Sequence, residues 1–239
     1  MALNYNFKFK TKLATKLVKF VDRFKKNVFP VGYFHRGALY SETFVVCALM
    51  DLMKIDLLLE SGIAYGRSTE IFSKYGVKSI KSVDIAHIKI YSKKENERVW
   101  NVTKERLSKY DNLEVFKGNS KSILPKLIKQ NRKKRIGVVV DGPKGIHAVN
   151  LAADCFKQSC VKFVAIHDQV NDKSIMKRHF KNYFATTEKW YREVVGDLDI
   201  DDIDSLNAMQ DDRKYEYDFS GFGMGVSIKT EELQKLIED

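Results

Sequence analysis

A chain of 239 residues is long enough to bury the core of one sizeable α/β domain without disulfide or metal staples. Its 44% hydrophobic and 31% charged residues exclude a disordered segment, a collagen-like array and a repeat protein. The formal charge of +11 sits mainly at one end: residues 1–36 hold nine basic groups against one acid, Asp22, and the remainder is close to balanced.

In that first segment Leu13, Leu17, Phe20, Val21, Phe24 and Val28 recur at helical spacing, giving one apolar and one basic face. The pattern predicts an amphipathic helical appendage over residues 1–36, docked on the body or on a second copy of the chain. Its basic face also leaves an anionic membrane surface or a nucleic acid open as a partner. The longest apolar run, at residues 44–50, is too short to span a bilayer, and no uninterrupted leader-like stretch opens the sequence. Cys47, Cys155 and Cys160 are odd in number and lack metal-ligand spacing, so free thiols in a reducing, cytoplasmic setting are expected.

A single domain is expected over residues 37–239, opening with a helix at 37–54. Strands are predicted at 55–60, 79–84, 113–116, 136–141 and 162–167, alternating with helices at 68–75, 93–110, 120–130 and 146–159. Such alternation means βαβ units in a doubly wound, mostly parallel α/β sheet with helices on both faces. The run Ile136-Gly137-Val138-Val139-Val140 is apolar on both faces, as a central parallel strand requires. Residues 190–195 and 222–228 are expected to close the sheet as an antiparallel pair. Seven aspartates between positions 197 and 212, with no Lys or Arg, lack the glycine and terminal glutamate of a calcium loop. They predict a solvated insertion at about 197–220.

The first strand–helix junction reads Glu60-Ser61-Gly62-Ile63-Ala64-Tyr65-Gly66-Arg67-Ser68. Glycines there let the backbone turn tightly and approach a ligand, beside the free N–H groups of the next helix. Asp84 ends the next strand 18 residues after Gly66, where doubly wound folds accept hydrogen bonds from ribose hydroxyls. An adenosine-type ligand fits. A dinucleotide fits poorly, because the third glycine of its fingerprint is absent and Glu60 would repel a pyrophosphate. S-adenosylmethionine tolerates that acid, whose carboxylate can hold the ligand's ammonium through ordered water. Asp141 and Asp168 each follow an apolar run, so both carboxylates are expected at the C-terminal sheet edge, where ligands bind. With an amide oxygen they form a hard, oxygen-rich set suited to Mg²⁺. Lys144, three residues beyond Asp141, is placed to accept or assist a proton, provided its own pKa is depressed. A plain helix cap for either aspartate, a solvated Lys144, and a structural or ligating His167 stand beside these readings.

Together these stretches resemble the class I S-adenosylmethionine-dependent methyltransferases, and among them the metal-dependent catechol O-methyltransferase group. Gly37-Ala38-Leu39 leads into residues 60–68, which are similar to the family's E-x-G-x-x-x-G-x-S cofactor loop, and Val83-Asp84 to its ribose-binding acid. Gly118-Asn119-Ser120-Lys121-Ser122-Ile123-Leu124-Pro125-Lys126-Leu127 looks like its adenine-side turn. Val140-Asp141-Gly142-Pro143-Lys144 and Ile166-His167-Asp168-Gln169 resemble its D-x-x-K and D-N motifs. The resemblance implies cofactor contacts from Glu60, Gly62, Ala64, Gly66, Ser68, Asp84, Asn119, Ser120 and Asp141. It implies Mg²⁺ on Asp141, Asp168 and Gln169, with Lys144 and Asp141 catalytic. Gln169 stands in place of the usual asparagine, and Pro143 where a larger side chain is common, which weakens a catechol acceptor. The expected acceptor is a small-molecule hydroxyl, phenolic or sugar. An RNA methyltransferase and a non-catalytic nucleoside-binding protein remain rivals. The resemblance covers residues 36–195 and omits the basic N-terminus and the aspartate-rich stretch.

Overall fold

The computed structural model describes residues 2–31, 38–88, 91–168, 176, 178–199 and 223–238, with backbone only for 2–8. Helix α1 (Ala2–Leu17) passes through a 3-10 turn at Val18–Phe20 into α2 (Val21–Val28), and α3 (Tyr40–Leu52) follows. The alternation then runs β1 (Leu57–Ser61), α4 (Arg67–Tyr75), β2 (Ile80–Asp84), α5 (Lys93–Leu107), β3 (Leu113–Lys117) and α6 (Ser120–Gln130). It continues with β4 (Ile136–Val140), α7 (Ile146–Phe156) and β5 (Val161–His167). Four elements complete the described chain: β6 (Tyr183–Ala185), α8 (Lys189–Val195), β7 (Met224–Ile228) and α9 (Thr230–Glu238).

The strands form one sheet in the order β3-β2-β1-β4-β5-β7-β6. The first five are parallel, and β7 runs antiparallel to both β5 and β6. The chain starts at the centre, winds outward through β2 and β3, then returns to lay β4 against β1. That reversal opens a crevice at the C-terminal ends of β1 and β4, the place where open α/β sheets bind ligands.

Side-chain alternation builds a core on each face. Leu57, Leu59, Val138, Val140, Val164 and Ile166 pack with Leu124, Leu127, Ile128, Val149 and Ala152 of α6 and α7. Leu58, Val139, Phe163 and Ala165 pack on the opposite face with Phe44, Leu49, Ile71 and Phe72 of α3 and α4. The second core also takes in Phe9, Leu13, Leu17, Phe24 and Val28. The Phe24 ring meets Phe44 edge-on at 5.4 Å. The apolar face read in the N-terminal sequence therefore lies against the body, which removes it as an anchor for membrane insertion. Several N-terminal cations are engaged as well: Lys10 with Glu188, Arg23 with Asp51 at 2.7 Å, and Lys25 with Asp197 at 2.7 Å.

Two expectations need correction. Residues 190–195 do not pair with β7. They form α8, burying Tyr191 and Val195 one helical turn apart, and the pairing strand is the three-residue β6. The Trp-Tyr pair looks strand-like in composition, but helical spacing of the buried residues decides. The aspartate-rich stretch lies outside the described residues from position 200 onward. Of its first members, Asp197 is exposed, whereas Asp199 is buried and accepts from the Ser41 N–H at 2.7 Å and from Arg192 at 3.0 Å. Asp199 is thus a structural carboxylate, not a solvated one. All three cysteines are free, and burial pushes the Cys155 thiol up to about 12.

Candidate active site

At the end of β1 the chain turns through Gly62 at φ +94°, where a Cβ would come within 2.6 Å of the Gly142 backbone nitrogen. The same approach is locked by hydrogen bonds from the N–H groups of Asp141 and Gly142 to the Ser61 carbonyl, at 2.7 and 3.0 Å. Sequence-distant strand ends are thereby held in backbone contact. Gly66, at φ +75°, begins α4, and a Cβ there would press on Thr103 and Leu107 of α5 at 2.9 and 3.0 Å.

Asp84 braces this loop from the end of β2. Its Oδ2 accepts from the N–H groups of Ile63 at 2.6 Å and Ala64 at 2.9 Å, and its Oδ1 accepts from Ala86. A carboxylate offers about four acceptor positions, so one remains for a ligand hydroxyl. Asn119 caps α6 by accepting from the Lys121 N–H at 2.9 Å, beside Ser120.

A cavity of about 590 Å³ opens between these groups. Gly62, Ala64, Asp84, Asn119, Ser120 and Asp141 line it, as does Lys144. The sequence reading did not single out Ile85, His87, Ile88 and Lys121, which line it too. Ile85 carried a usable signal: an apolar residue directly after a strand-end acid, and it is 60% exposed.

Glu60, Gly66 and Ser68 do not line the cavity. Glu60 is fully buried, its Oε1 accepting from Ser68 and its Oε2 from Thr69 and Ser82, each at 2.6 Å. Burial raises its carboxyl to about 7 although the three hydroxyls oppose that shift. Glu60 thus uses three acceptor positions on protein hydroxyls and lies away from the cavity surface, so it does not itself meet a ligand ammonium there. Thr69 and Ser82, partners in this knot, went unnoticed in the sequence.

At the other end of the cavity charges converge. Lys144 Nζ donates to Asp141 Oδ1 and, at 2.6 Å, to Asp168 Oδ2. His167 Nδ1 lies 3.0 Å from Asp141 Oδ1 and 3.1 Å from Asp168 Oδ1, aligned for a hydrogen bond with neither. Its Nε2 contacts Glu42 Oε2 at 3.1 Å beneath the site, and Glu42 is wholly buried on α3. Burial would lower the His167 pKa, but the carboxylates of Glu42 and Asp141 override it and hold the ring's pKa well above its usual value. Burial would raise Asp141, yet His167 and Lys144 keep it well below the carboxylate range. Lys144 departs from expectation. Burial favours its neutral amine, but Asp141 and Asp168 raise its pKa, so it is held as an ammonium.

The donor set fits a divalent cation. Ligand atoms of Asp141, His167 and Asp168 all lie within 4.8 Å of one another. The buried His167 nitrogen aims between two carboxylates, and the Lys144 ammonium already bridges them as a cation would. The two carboxylates suit Mg²⁺ or Mn²⁺, while an imidazole nitrogen moves the preference toward Mn²⁺ and other first-row ions and would ligate only after His167 loses its extra proton. Gln169, the third ligand implied by the resemblance, lies outside the described residues. Among the described residues the third donor beside Asp141 and Asp168 is His167.

The sheet order and this crevice define a doubly wound α/β protein with a nucleoside-sized cavity. No family model and no curated protein matches the sequence. Among solved structures, the chain is similar to an O-methyltransferase from Streptomyces achromogenes involved in tomaymycin synthesis, in complex with SAM. That match has 14% identity and a TM-score of 0.47, covering 90% of this chain and 89% of the other. It is similar to an SAH-bound methyltransferase from Podospora anserina, with 11% identity, a TM-score of 0.42, and 88% and 87% coverage. An O-methyltransferase from Bacillus cereus in complex with SAH gives 10% identity, a TM-score of 0.41, and 89% and 90% coverage.

Proposed function

We propose that the chain is an S-adenosylmethionine-dependent O-methyltransferase acting on the hydroxyl of a small phenolic or sugar molecule, with a divalent cation in the site. The observation that carries this reading is the single cavity joining Asp84 and the glycine loop to Asp141 and Lys144. A nucleoside donor and a hydroxyl acceptor held there share one space.

In this reading Asp84 receives a ribose hydroxyl, Asn119 and Ser120 border the base, and Ile85 and Ile88 give it apolar walls. Asp141, Asp168 and His167 would hold the cation, which supplies Lewis-acid lowering of the acceptor hydroxyl's pKa. With a cation shared between Asp141 and Asp168, the Lys144 ammonium would lose the attraction that raises its pKa and would release one proton to solvent. The neutral amine would then take the acceptor's hydroxyl proton. The acceptor oxygen then bonds the methyl carbon as the C–S bond breaks. Its electron pair stays on sulfur, and S-adenosylhomocysteine leaves. Most of the acceleration comes from holding oxygen and methyl close and in line.

Lys10, Arg23 and Lys25 bind carboxylates of the body, which does not favour the N-terminal helices as the seat of an RNA acceptor. Three free thiols favour a reducing compartment, the cytoplasm, and among the described residues no helix is long and apolar enough to cross a membrane.

Thermal shift with S-adenosylmethionine, NAD and NADP, each with and without Mg²⁺, tests the donor. At about 100 times its Kd a ligand adds about 2.7 kcal/mol. Only the methyl donor should give a shift, and Asp84→Ala should abolish it. Methyl transfer to a phenol and saccharide library, followed by mass spectrometry, should then stop in EDTA while donor binding persists. Stabilisation by NAD alone, or undiminished transfer in EDTA, would overturn the donor or the metal assignment respectively.

A further inference from the structure

Residues 117–135 carry eight basic groups and no acid: Lys117, Lys121, Lys126, Lys129, Arg132, Lys133, Lys134 and Arg135. Apart from this segment and residues 1–36, the chain has more acidic than basic groups. The two basic segments differ in how the fold treats them. Three N-terminal cations, Lys10, Arg23 and Lys25, are tied to body carboxylates, as described above. In the second segment Arg135 is tied to Glu232 at 2.5 Å, but the other seven are exposed and form no ion pair with a described residue.

Their arrangement is ordered by α6. Leu124, Leu127 and Ile128 face the sheet, which sends Lys121, Lys126 and Lys129 outward along successive turns. The stretch from Lys121 to Lys129 spans about 12 Å at about 1.5 Å per residue. Lys121 lines the nucleoside cavity. Farther along the helix, Lys129 and Arg132 edge a second cavity of about 540 Å³, whose floor includes Ile128 and the buried Cys155. Asp154 and Ser159 lie on its opposite wall. Asp154 is the one acid lining it, and Lys157 pairs with it at 2.7 Å, which offsets part of its charge.

We infer that this groove and its row of cations form a docking surface for a single-stranded nucleic acid. Phosphates would follow Lys121, Lys126, Lys129 and Arg132, and one nucleoside would sit on the apolar floor. A polyanion complements a row of adjacent cations by releasing its own counterions there, and a concave, single-nucleotide-sized groove suits a strand. An anionic bilayer is the poorer match. Among the described residues the exposed large hydrophobics are Val18, Ile85, Val102 and Ile146, none on α6, so this face has no apolar anchor to insert. Without an aromatic in the groove, binding should depend little on base identity and strongly on salt.

The inference does not rest on methyl transfer, so it is tested without donor. Fluorescence anisotropy with labelled oligouridylate of about 20 nucleotides should show binding with a log–log salt slope near −3, as about four neutralised phosphates require. Raising salt fourfold should then weaken binding roughly fifty-fold. The exposed triple variant Lys126→Glu/Lys129→Glu/Arg132→Glu should lose more than tenfold in affinity at unchanged melting temperature. Lys16→Glu/Lys19→Glu should lose less than threefold. If the reversal disturbs folding, the triple glutamine variant replaces it, with the same direction of effect. Absence of salt-sensitive binding would overturn the proposal. So would equal losses in both variants, or binding that depends on the three cations only with phosphatidylserine vesicles.

Discussion

Glu60 shows how much a single buried residue decides. Its carboxyl lies near 7 in the fold against 4.5 in the open chain, because desolvation outweighs three hydroxyl donors. Below pH 4.5 both states are protonated and the residue has no pH-linked effect. As pH rises the unfolded chain ionises first, so the folded state binds the proton more tightly and stability falls. Above about pH 7 the full cost applies, about 3 kcal/mol. Urea unfolding at pH 5 and pH 8 should show a decline in the wild type to which His167, with its raised pKa, also contributes above pH 6.5, and Glu60→Gln should make that decline smaller. An unchanged pH dependence in the variant would assign the decline to other groups. Two glycines allow a second comparison, since Gly62 and Gly76 share nearly the same backbone, at φ +94° and +93°. A Cβ at Gly76 meets open space, whereas one at Gly62 meets the Gly142 nitrogen at 2.6 Å. Gly76→Ala should cost about 1 kcal/mol from the strained backbone alone. Gly62→Ala should cost at least about 1 kcal/mol more in unfolding and weaken donor binding over tenfold. Similar costs at both positions would mean that the two loops can part without penalty.

At the scale of elements, the N-terminal helices are part of the core. Phe24 is fully buried and its ring packs against Tyr40, Phe44 and Tyr75. Truncation to Ala should cost about 3–5 kcal/mol, a large part of the stability of a domain. Val18, in the turn between α1 and α2, is 52% exposed, and Val18→Ala should stay within about 0.5 kcal/mol. Chemical unfolding followed by far-UV circular dichroism compares the two. A small effect at Phe24 would detach these helices from the cooperative unit. Helix α3 links this layer to the site: Glu42 caps its start by accepting from the Leu39 N–H at 2.7 Å and also touches His167. The helix that packs against the N-terminal layer thus also carries the carboxylate beneath the charged end of the cavity.

At the scale of the molecule, the five parallel strands were legible because apolar runs alternated with amphipathic helices at regular spacing, and their bounds fell within two residues of those expected. Their order in the sheet was not read from the sequence. The second half of the sheet was harder to read. β6 has three residues, too few for a period, and α8 begins with a Trp-Tyr pair that composition assigns to a strand. The positions of Asp84 and Asp141 at the sheet edge could be read because a parallel strand ends in a predictable place, whereas Asn119, the cap of α6, was singled out only by the resemblance. The neighbours that set their state were not, since Glu42 and His167 are 125 residues apart and no local pattern joins them.

The sequence by itself determined the parallel α/β frame, the crevice end of the sheet and the acids that reach it, because periodicity and strand ends are local properties. Only the tertiary structure decided which way those acids turn. It closed Glu60 among hydroxyls, raised Lys144 between two carboxylates and set His167 against Asp141, Asp168 and Glu42. Each of those outcomes depends on groups brought together by strand register and burial, and electrostatic energy in a dry interior depends on distances that no linear pattern encodes.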